Sequence, residues 1–543
     1  MIYTLDKAVR CACFTISTHV VHLTIFILCF FVFFFTSNFH LNLYDEGIVL
    51  TGAYRVLHGE WPSRDFYTNY GPAQFFVVAA IYEFFGVTAL ASRVYDALIS
   101  AAIVTLVYCA ISNAKNIMII STSLIWTLFL LISYRIELYS LMPCMVLLLA
   151  GGIATERHLV DHPLHIANFS WAIAALIFLF RFDLGVAAAA AFGAPIAIVA
   201  FIDFFQGRVG LAVALSVVFR NASVALLWLV GAAFALWSVG ILQPALNDLL
   251  SYNAGNYVQM RSLPFPKPGD LRLDPVRTIV IYSPVLIVFF SLVGVWFTRL
   301  RNSGESRRKQ IGVIVFISIT VISYMKGFVR VSPEHLLIAC VSACVLVPLV
   351  IDALKKPKSQ LSRIAKFSLP AILLVAFSFT GRTVEARWNA GLLLSGKRPE
   401  LLSSVFPFGS RGEVMDAAEF IAANTLPDER ILSVTGRHDK VFANDISLYF
   451  LAQRLPATRW HQYDPGVQTT EVVQAEMMED IKRRKVRFIF QDRSFDDVDE
   501  KNGSSISSGV TLLDKYIAEQ FREVRRFGPI SILERCGKDC LKP

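Results

Sequence analysis

The chain has 543 residues, of which 55% are hydrophobic, 13% aromatic and only 17% charged, and its mean hydropathy is +0.54. That balance excludes a water-soluble globule over most of the length and predicts a polytopic α-helical membrane protein. The formal charge of +9 does not point to nucleic acid, because many basic residues fall in short loops between apolar runs, where the positive-inside bias puts them.

In chain order, Lys7 and Arg10 precede an apolar run from about Thr18 to Thr36, long enough for roughly 30 Å of hydrocarbon. No small-residue cleavage site follows, so the run reads as an uncleaved first helix leading from inside to outside. The stretch Leu41 to Pro72, LNLYDEGIVLTGAYRVLHGEWPSRDFYTNYGP, then reads as an outer loop crowded with carboxylates, arginines and tyrosines. Ala73 to Phe85 is apolar but short, and is expected to be interfacial or re-entrant. Further spans are expected over Leu90–Ile111, Ile117–Ser133, Leu138–Ala154, Ala167–Phe180, Leu184–Phe204, Ser223–Leu242, Thr278–Phe297, Ile311–Tyr324, Leu336–Ile351 and Phe367–Phe379, which makes about 11 transmembrane helices in all. Arg299, Arg301, Arg307, Arg308 and Lys309 fall in one loop, and Lys355, Lys356, Lys358, Arg363 and Lys366 in another, both on the side of the N-terminus.

The division that follows is a transmembrane domain over 1–381, a linker over 382–410 and a soluble α/β domain over 411–543. In the last of these, helices are expected at Glu413–Asn424, Thr470–Arg484 and Leu512–Phe521, and strands at Arg430–Val434, Val486–Gln491 and Ile530–Glu534. Asp496 to Ser508 reads as a flexible loop. The chain carries no glycine-rich phosphate loop and no dinucleotide fingerprint, which argues against a nucleotide site.

With this topology the mixed polar residues share the outer side. Asp45, Glu46 and Asp65 fall in the first outer loop and Arg135 and Glu137 in the second. Arg181 and Asp183 follow in the third, Tyr252, Tyr257, Arg261 and Lys267 in the fourth, and Lys326, Arg330 and His335 in the fifth. Aromatics and arginines at span ends also serve as interfacial anchors, but anchoring does not call for acids at Asp45, Asp65, Glu137 and Asp183. The chemistry that uses all these types is glycosyl transfer from a lipid phosphate: a carboxylate takes the acceptor's proton, and cations stabilise the phosphate that leaves.

Tyr44-Asp45-Glu46-Gly47, Gly59-Glu60-Trp61-Pro62, Arg64-Asp65-Phe66 and Tyr70-Gly71-Pro72 resemble, in that order, the first loop of GT-C glycosyltransferases. The likeness is to bacterial relatives of the protein O-mannosyltransferases and of the aminoarabinose transferase that modifies lipid A. Phe180-Arg181-Phe182-Asp183, the run from Tyr257 to Pro266 and the run from Arg330 to His335 resemble further outer-loop elements of that group. The resemblance implies an inner-membrane, multi-pass enzyme with an extracytoplasmic C-terminal domain. Its donor would be a polyprenyl phosphate sugar, and its acceptor a lipid, glycan or protein. It makes Asp45 the general base, with Glu46 completing an acidic pair and Asp65 in reserve, and gives Glu137 the orienting of the acceptor or of a divalent ion. The acids show no metal-ligand spacing, so the cofactor stays open. Arg261, Lys326, Arg330 and His335 are the expected phosphate ligands, and Tyr67, Tyr70, Arg181, Asp183 and Tyr257 the expected substrate contacts.

The competing reading is a polytopic transporter or flippase of lipid-linked glycans. It calls for ionisable residues or broken helices near mid-membrane and often for internal repeats, whereas the acids here cluster at span ends. A receptor or assembly protein would not explain the polar outer loops. The odd span count fixes the side of the last domain, so a reporter active only in the cytoplasm, fused after Arg411, is expected to be silent. A strong signal would put every candidate residue on the wrong side.

Overall fold

The computed structural model describes residues 2–37, 41–42, 44–114, 116–267, 269–270, 274–298, 304–353 and 412–536. The expected span Phe367–Phe379, the linker 382–410, the basic loop Lys355–Lys366, and Arg299 and Arg301 lie outside the described residues.

Helix α1 runs Ile2–Phe35, α2 Asp45–Leu57, α3 Ala73–Phe85, α4 Ala89–Ile111, α5 Ile117–Tyr134, α6 Leu141–Asp161 and α7 Asn168–Phe180. Then come α8 Phe182–Phe205, α9 Leu211–Ser238, α10 Leu242–Asp248, a π-helical stretch Leu249–Tyr257, α11 Val258–Arg261, α12 Pro275–Thr298, α13 Gly304–Lys326 and α14 Pro333–Ala353. Among the described residues, eight of these (α4, α5, α6, α8, α9, α12, α13 and α14) are long and apolar enough to cross a membrane. The apolar part of α1 (His19–Phe35), α3 and α7 are shorter, so α7, expected as a span, is brief for one.

Local chemistry sets many of the boundaries. Thr88 caps α4 by accepting the Ala91 N–H at 3.2 Å, and Asn116 caps α5 through the Met118 N–H at 3.1 Å. Asp274 accepts the Arg277 N–H at 3.0 Å just ahead of Pro275, a proline placed where its missing donor is not needed. Helix α14 packs against α4, α5, α12 and α13 and its span is 78% buried, whereas that of α9 is 22% buried and forms the rim. Gly151 and Gly152 let α6 close on Phe192 of α8 and on Ile319 of α13, where a Cβ would stand 2.2 Å and 2.6 Å from those side chains. At the end of the bundle that carries the basic loops, Asp203 accepts from Arg208 and Arg307 at 2.6 Å each, which ties α8 to α13.

Two expectations are corrected. Helix α9 begins at Leu211, twelve residues or so before the expected Ser223, because the polar pair Arg220 and Asn221 does not interrupt it. Asn221 is buried and accepts from the Ala167 N–H at 2.9 Å and the Trp171 indole at 3.1 Å, so its polarity is spent on α7. The stretch Leu41 to Pro72 is not simply a loop either, since it contains α2, and every residue from Glu46 to Arg55 is buried.

The C-terminal domain matches its expected elements closely, with helices Gly412–Asn424, Glu471–Arg483 and Leu512–Gln520 and strands β1 Leu432–Thr435, β2 Phe488–Asp492 and β4 Ile530–Arg535. A short helix Ser447–Ala452 and strand β3 Phe521–Phe527 were not expected. The sheet order is β1-β2-β4-β3, with β1 parallel to β2 and the other pairs antiparallel. Strands β2 and β4 form its middle, β1 is a buried edge, and β3 is a charged, exposed edge.

This domain is bolted to the bundle through α2. Thr51 donates to the Ile446 carbonyl at 2.8 Å, and Gly47 lies so close to Ser447 that a Cβ would stand 2.7 Å from its backbone nitrogen. Gly47→Ala is therefore expected to push the domain away from α2 at a cost of about 1–3 kcal/mol. Faster proteolysis between the two parts would show it, and an unchanged cleavage rate would show that the contact yields freely.

Candidate active site

A cavity of about 910 Å³ lies where the bundle meets the C-terminal domain. Its walls come from residues that follow α5 and α7, from the ends of α13 and α11, from the starts of α2, α12 and α14, and from the segments around Phe442, Gln462 and Ser494 to Glu500. Eight residues expected from the sequence line it: Asp45, Tyr70, Arg181, Tyr257, Arg261, Lys326, Arg330 and His335.

Asp45 opens α2. Asn42 orients it, accepting its N–H at 2.9 Å and donating to its carboxylate at 3.3 Å. Among the described residues Asp45 forms no ion pair. Burial raises its carboxyl above the ordinary value, opposed by the charge of Arg261, the hydrogen bond from Asn42 and the charge of Arg330.

Facing it, Arg261 is 7% exposed and stacks over Phe442 at 4.8 Å and Tyr44 at 5.6 Å. Arg330 donates to the Arg261 carbonyl at 3.1 Å, and a bridge between Leu263 and Arg330 joins their strands of chain. Both guanidiniums meet Glu500 of the C-terminal domain, Arg330 at 2.5 Å and Arg261 at 3.7 Å. On another wall, Asp183 accepts from Arg181 at 3.2 Å and Lys326 at 2.6 Å, and the Arg181 guanidinium lies over Tyr70 at 5.5 Å and Tyr139 at 6.0 Å. His335 shares a hydrogen bond with Ser332 at 2.9 Å and presents its ring to Tyr139. Tyr257 ends the π-helical stretch, a backbone form that recurs at functional sites.

The other expected residues lie elsewhere. Glu46 is fully buried and pairs with Arg93. Glu137 is buried against Arg135 at 3.7 Å, and Arg135 also reaches Asp96 at 3.3 Å. Asp65 is bound by Arg64 at 2.8 Å and by the Trp61 N–H at 2.7 Å. Tyr67 is fully buried between Trp460 and Tyr252 and donates to Asn69 at 2.7 Å, a packing role between the two domains. In each case a partner has already taken the functional group. Asp183 does not line the cavity itself but fixes two cations that do.

Sequence reasoning missed Tyr44, Asn69 and Gln462, which converge on Asp464. Tyr44 donates to its carboxylate at 2.5 Å, Asn69 at 2.7 Å and Gln462 at 2.8 Å. The mixed run Arg459 to Pro465, RWHQYDP, was a usable signal, because so many polar and aromatic residues together are seldom idle. Glu334 was missed too; it lines the cavity beside Arg277 and, among the described residues, has no ion pair. Its charge acts on Tyr134 of α5, together with those of Asp274 and Arg277. No group of three or more His, Cys, Asp or Glu fit to hold a metal occurs among the described residues.

No protein-family model matches the chain, and no characterised protein matches it in sequence. Solved structures do resemble it. ArnT from Cupriavidus metallidurans bound to undecaprenyl phosphate superposes with a TM-score of 0.51 at 14% identity, over 97% of this chain and 99% of that one. The same protein in its apo state gives 0.52 at 13% identity over the same shares. The archaeal oligosaccharyltransferase AglB from Archaeoglobus fulgidus, in complex with an inhibitory peptide and a dolichol-phosphate, aligns more loosely, at 0.42 and 11% identity over 88% of this chain and 70% of that one. The chain has the GT-C fold: a multi-pass helical membrane part with a small C-terminal sheet domain.

Removing one partner of a buried ion pair leaves an uncompensated charge. Glu46→Ala is accordingly expected to destabilise the folded protein by about 3–5 kcal/mol, read as a drop in thermal midpoint. A variant as stable as the parent would show that Arg93 finds another partner.

Proposed function

We propose that the protein is an integral-membrane glycosyltransferase that moves a sugar from a polyprenyl phosphate donor to an acceptor hydroxyl on the outer face of the membrane. The reading rests on the GT-C fold, whose ArnT relative was solved with undecaprenyl phosphate bound, and above all on one observation. Asp45 is the one acid expected from the sequence that both lines the cavity and, among the described residues, lacks an ion pair, and it faces Arg261 and Arg330.

In the step, the acceptor oxygen attacks the anomeric carbon while the bond from that carbon to the phosphate oxygen breaks. Asp45 takes the acceptor's proton, and the departing phosphate keeps the bond's electron pair. Arg261 and Arg330 supply fixed guanidinium forks for that charge, and Lys326, held at Asp183, adds a point charge at the same cavity. Tyr70, Tyr139 and Tyr257 give flat, amphipathic walls suited to a sugar ring. Asn42 aims Asp45. The group transferred is a hexosyl or pentosyl unit.

Glu334 is the rival base, since it too lines the cavity without an ion pair among the described residues. Asp45→Asn is expected to lower transfer from a polyprenyl phosphate sugar by ~10²–10⁴-fold, with Glu334→Gln and Asp65→Asn costing far less. Because Asp45 works ionised and its carboxyl is raised, activity should fall with acid at a pH above the ordinary aspartate range of about 3.9. The matching nucleotide sugar should not be turned over. Equal use of the nucleotide sugar, or a larger loss in Glu334→Gln than in Asp45→Asn, would overturn the assignment.

A further inference from the structure

The cavity contains two pairs of cations, each bridged by one carboxylate: Asp183 between Arg181 and Lys326, and Glu500 between Arg330 and Arg261. The two carboxylates are held very differently. Asp183 stands two residues from Arg181 in the first turn of α8, where it also accepts the Leu184 N–H at 2.9 Å. It moves only if the bundle moves. Glu500 belongs to the stretch between β2 and helix Leu512–Gln520 of the C-terminal domain. Within that stretch it is braced by the Asn502 amide at 2.9 Å, and its carbonyl accepts from Ser505 at 2.8 Å. Gly503 rests on Met260 of α11.

We infer that the Arg261 and Arg330 pair is the binding site for the donor's phosphate, and that Glu500 is its resident competitor, which the phosphate displaces as the 493–511 segment lifts. This deepens the glycosyl-transfer reading above and rests on it. The geometry is that of an exchangeable anion. Glu500 offers its two oxygens to the Arg330 fork at 2.5 Å and 2.9 Å, and a phosphate presents the same two-oxygen edge with further oxygens left over for Arg261. Glu500 is held down to about 2 although burial raises it, through hydrogen bonds from Arg330 and Asn502 and the charges of Arg330 and Arg261. It is therefore an anion at neutral pH.

The cations, by contrast, are fixed from behind, Arg261 by its stacking on Phe442 and Arg330 by the Leu263 bridge and the Arg261 carbonyl. They stay in place when the carboxylate leaves. Without Glu500, buried Arg261 and half-buried Arg330 would both lose their ion-pair partner. With it, one of the two positive charges is offset, and the measured affinity for phosphate is reduced by the fraction of molecules in which the site is closed.

Two variants of the full-length protein in lipid nanodiscs test this, with a polyprenyl phosphate as the probe. Glu500→Gln keeps the shape and removes the charge, and should tighten binding by about tenfold, whereas Arg330→Ala should weaken it. For the second, a Cβ at Gly503 would lie 2.6 Å from the Met260 sulfur and 3.3 Å from its Cα, so Gly503→Cys with Met260→Cys can be oxidised to pin the segment down. Oxidation should weaken binding about tenfold, and a reductant should restore it. Binding by Glu500→Gln no tighter than by the parent, or binding by the oxidised pair equal to that of the reduced one, would overturn the inference while leaving the glycosyl-transfer reading intact. Binding by Glu500→Gln with none by the parent would support it most strongly. No binding by either would remove the lipid-phosphate donor and this inference together.

Discussion

The buried ion pair between Glu46 and Arg93 governs how α2 can sit, and the cavity follows from α2. An ionised carboxylate taken from water costs several kcal/mol unless a partner repays it in place, and Glu46 has no exposure at all. Arg93, on α4, supplies both nitrogens to it. At the other end of the same helix, Arg55 is equally buried and is met by Glu60 at 2.5 Å and the Thr458 carbonyl at 3.1 Å. With both ends neutralised, the rotation of α2 is set. Neighbouring side chains on a helix point about 100° apart, so turning Glu46 toward Arg93 turns Asp45 away from it, into the cavity.

The same helix carries the C-terminal domain, which is a wall of the cavity and not a tethered appendage. Arg430 reaches Glu60 at 2.7 Å, Arg459 reaches Asp248 at 2.8 Å, and Asp464 is held by Tyr44 and Asn69. Each of these joins groups from both parts, so displacing the domain would strand several buried polar atoms at once. The Glu500 contact differs from them. Its cationic partners face a cavity large enough for a sugar phosphate, so it can be exchanged without leaving them unpaired.

The spans were legible because long apolar runs leave few alternatives, and most of the C-terminal elements because their periodicities agree with their caps and turns. Asp45 was legible as an acid in a polar stretch between apolar runs. The helix that presents it was not, because its charges suggest a loop to anyone who cannot see their partners. Arg93 is 47 residues from Glu46, and His461 is 406 residues from Arg55. Glu137 and Asp65 were credited with chemistry although Arg135 and Arg64 stand beside them in sequence. There the pairing was readable, and residue type outweighed it. Strand β3, FREVRRF, hid because an exposed edge strand needs no apolar face, and Glu500 hid because nothing local marks a carboxylate as the partner of cations some 170 residues away.

What sets the proposed base apart from the structural carboxylates in this molecule is the state of its partners more than its residue type. Glu46, Glu60, Asp65, Glu137, Asp183 and Glu500 each face a guanidinium or an ammonium, and an acid so paired is a poor base, since taking a proton would break the pair. Among the described residues, Asp45 and Glu334 have no such partner, and both stand in the first turn of a helix, where the peptide dipoles favour a carboxylate equally. Their surroundings divide them. The charges of Arg261 and Arg330 act on Asp45, so in the proposed reaction a proton transferred to it would appear next to the cations that take up the charge of the leaving phosphate. The charge of Glu334 acts instead on Tyr134, together with those of Asp274 and Arg277. In the proposed glycosyl transfer, base and cation pair must serve one reacting carbon at one moment, and Asp45, on which the charges of Arg261 and Arg330 act, fits that demand.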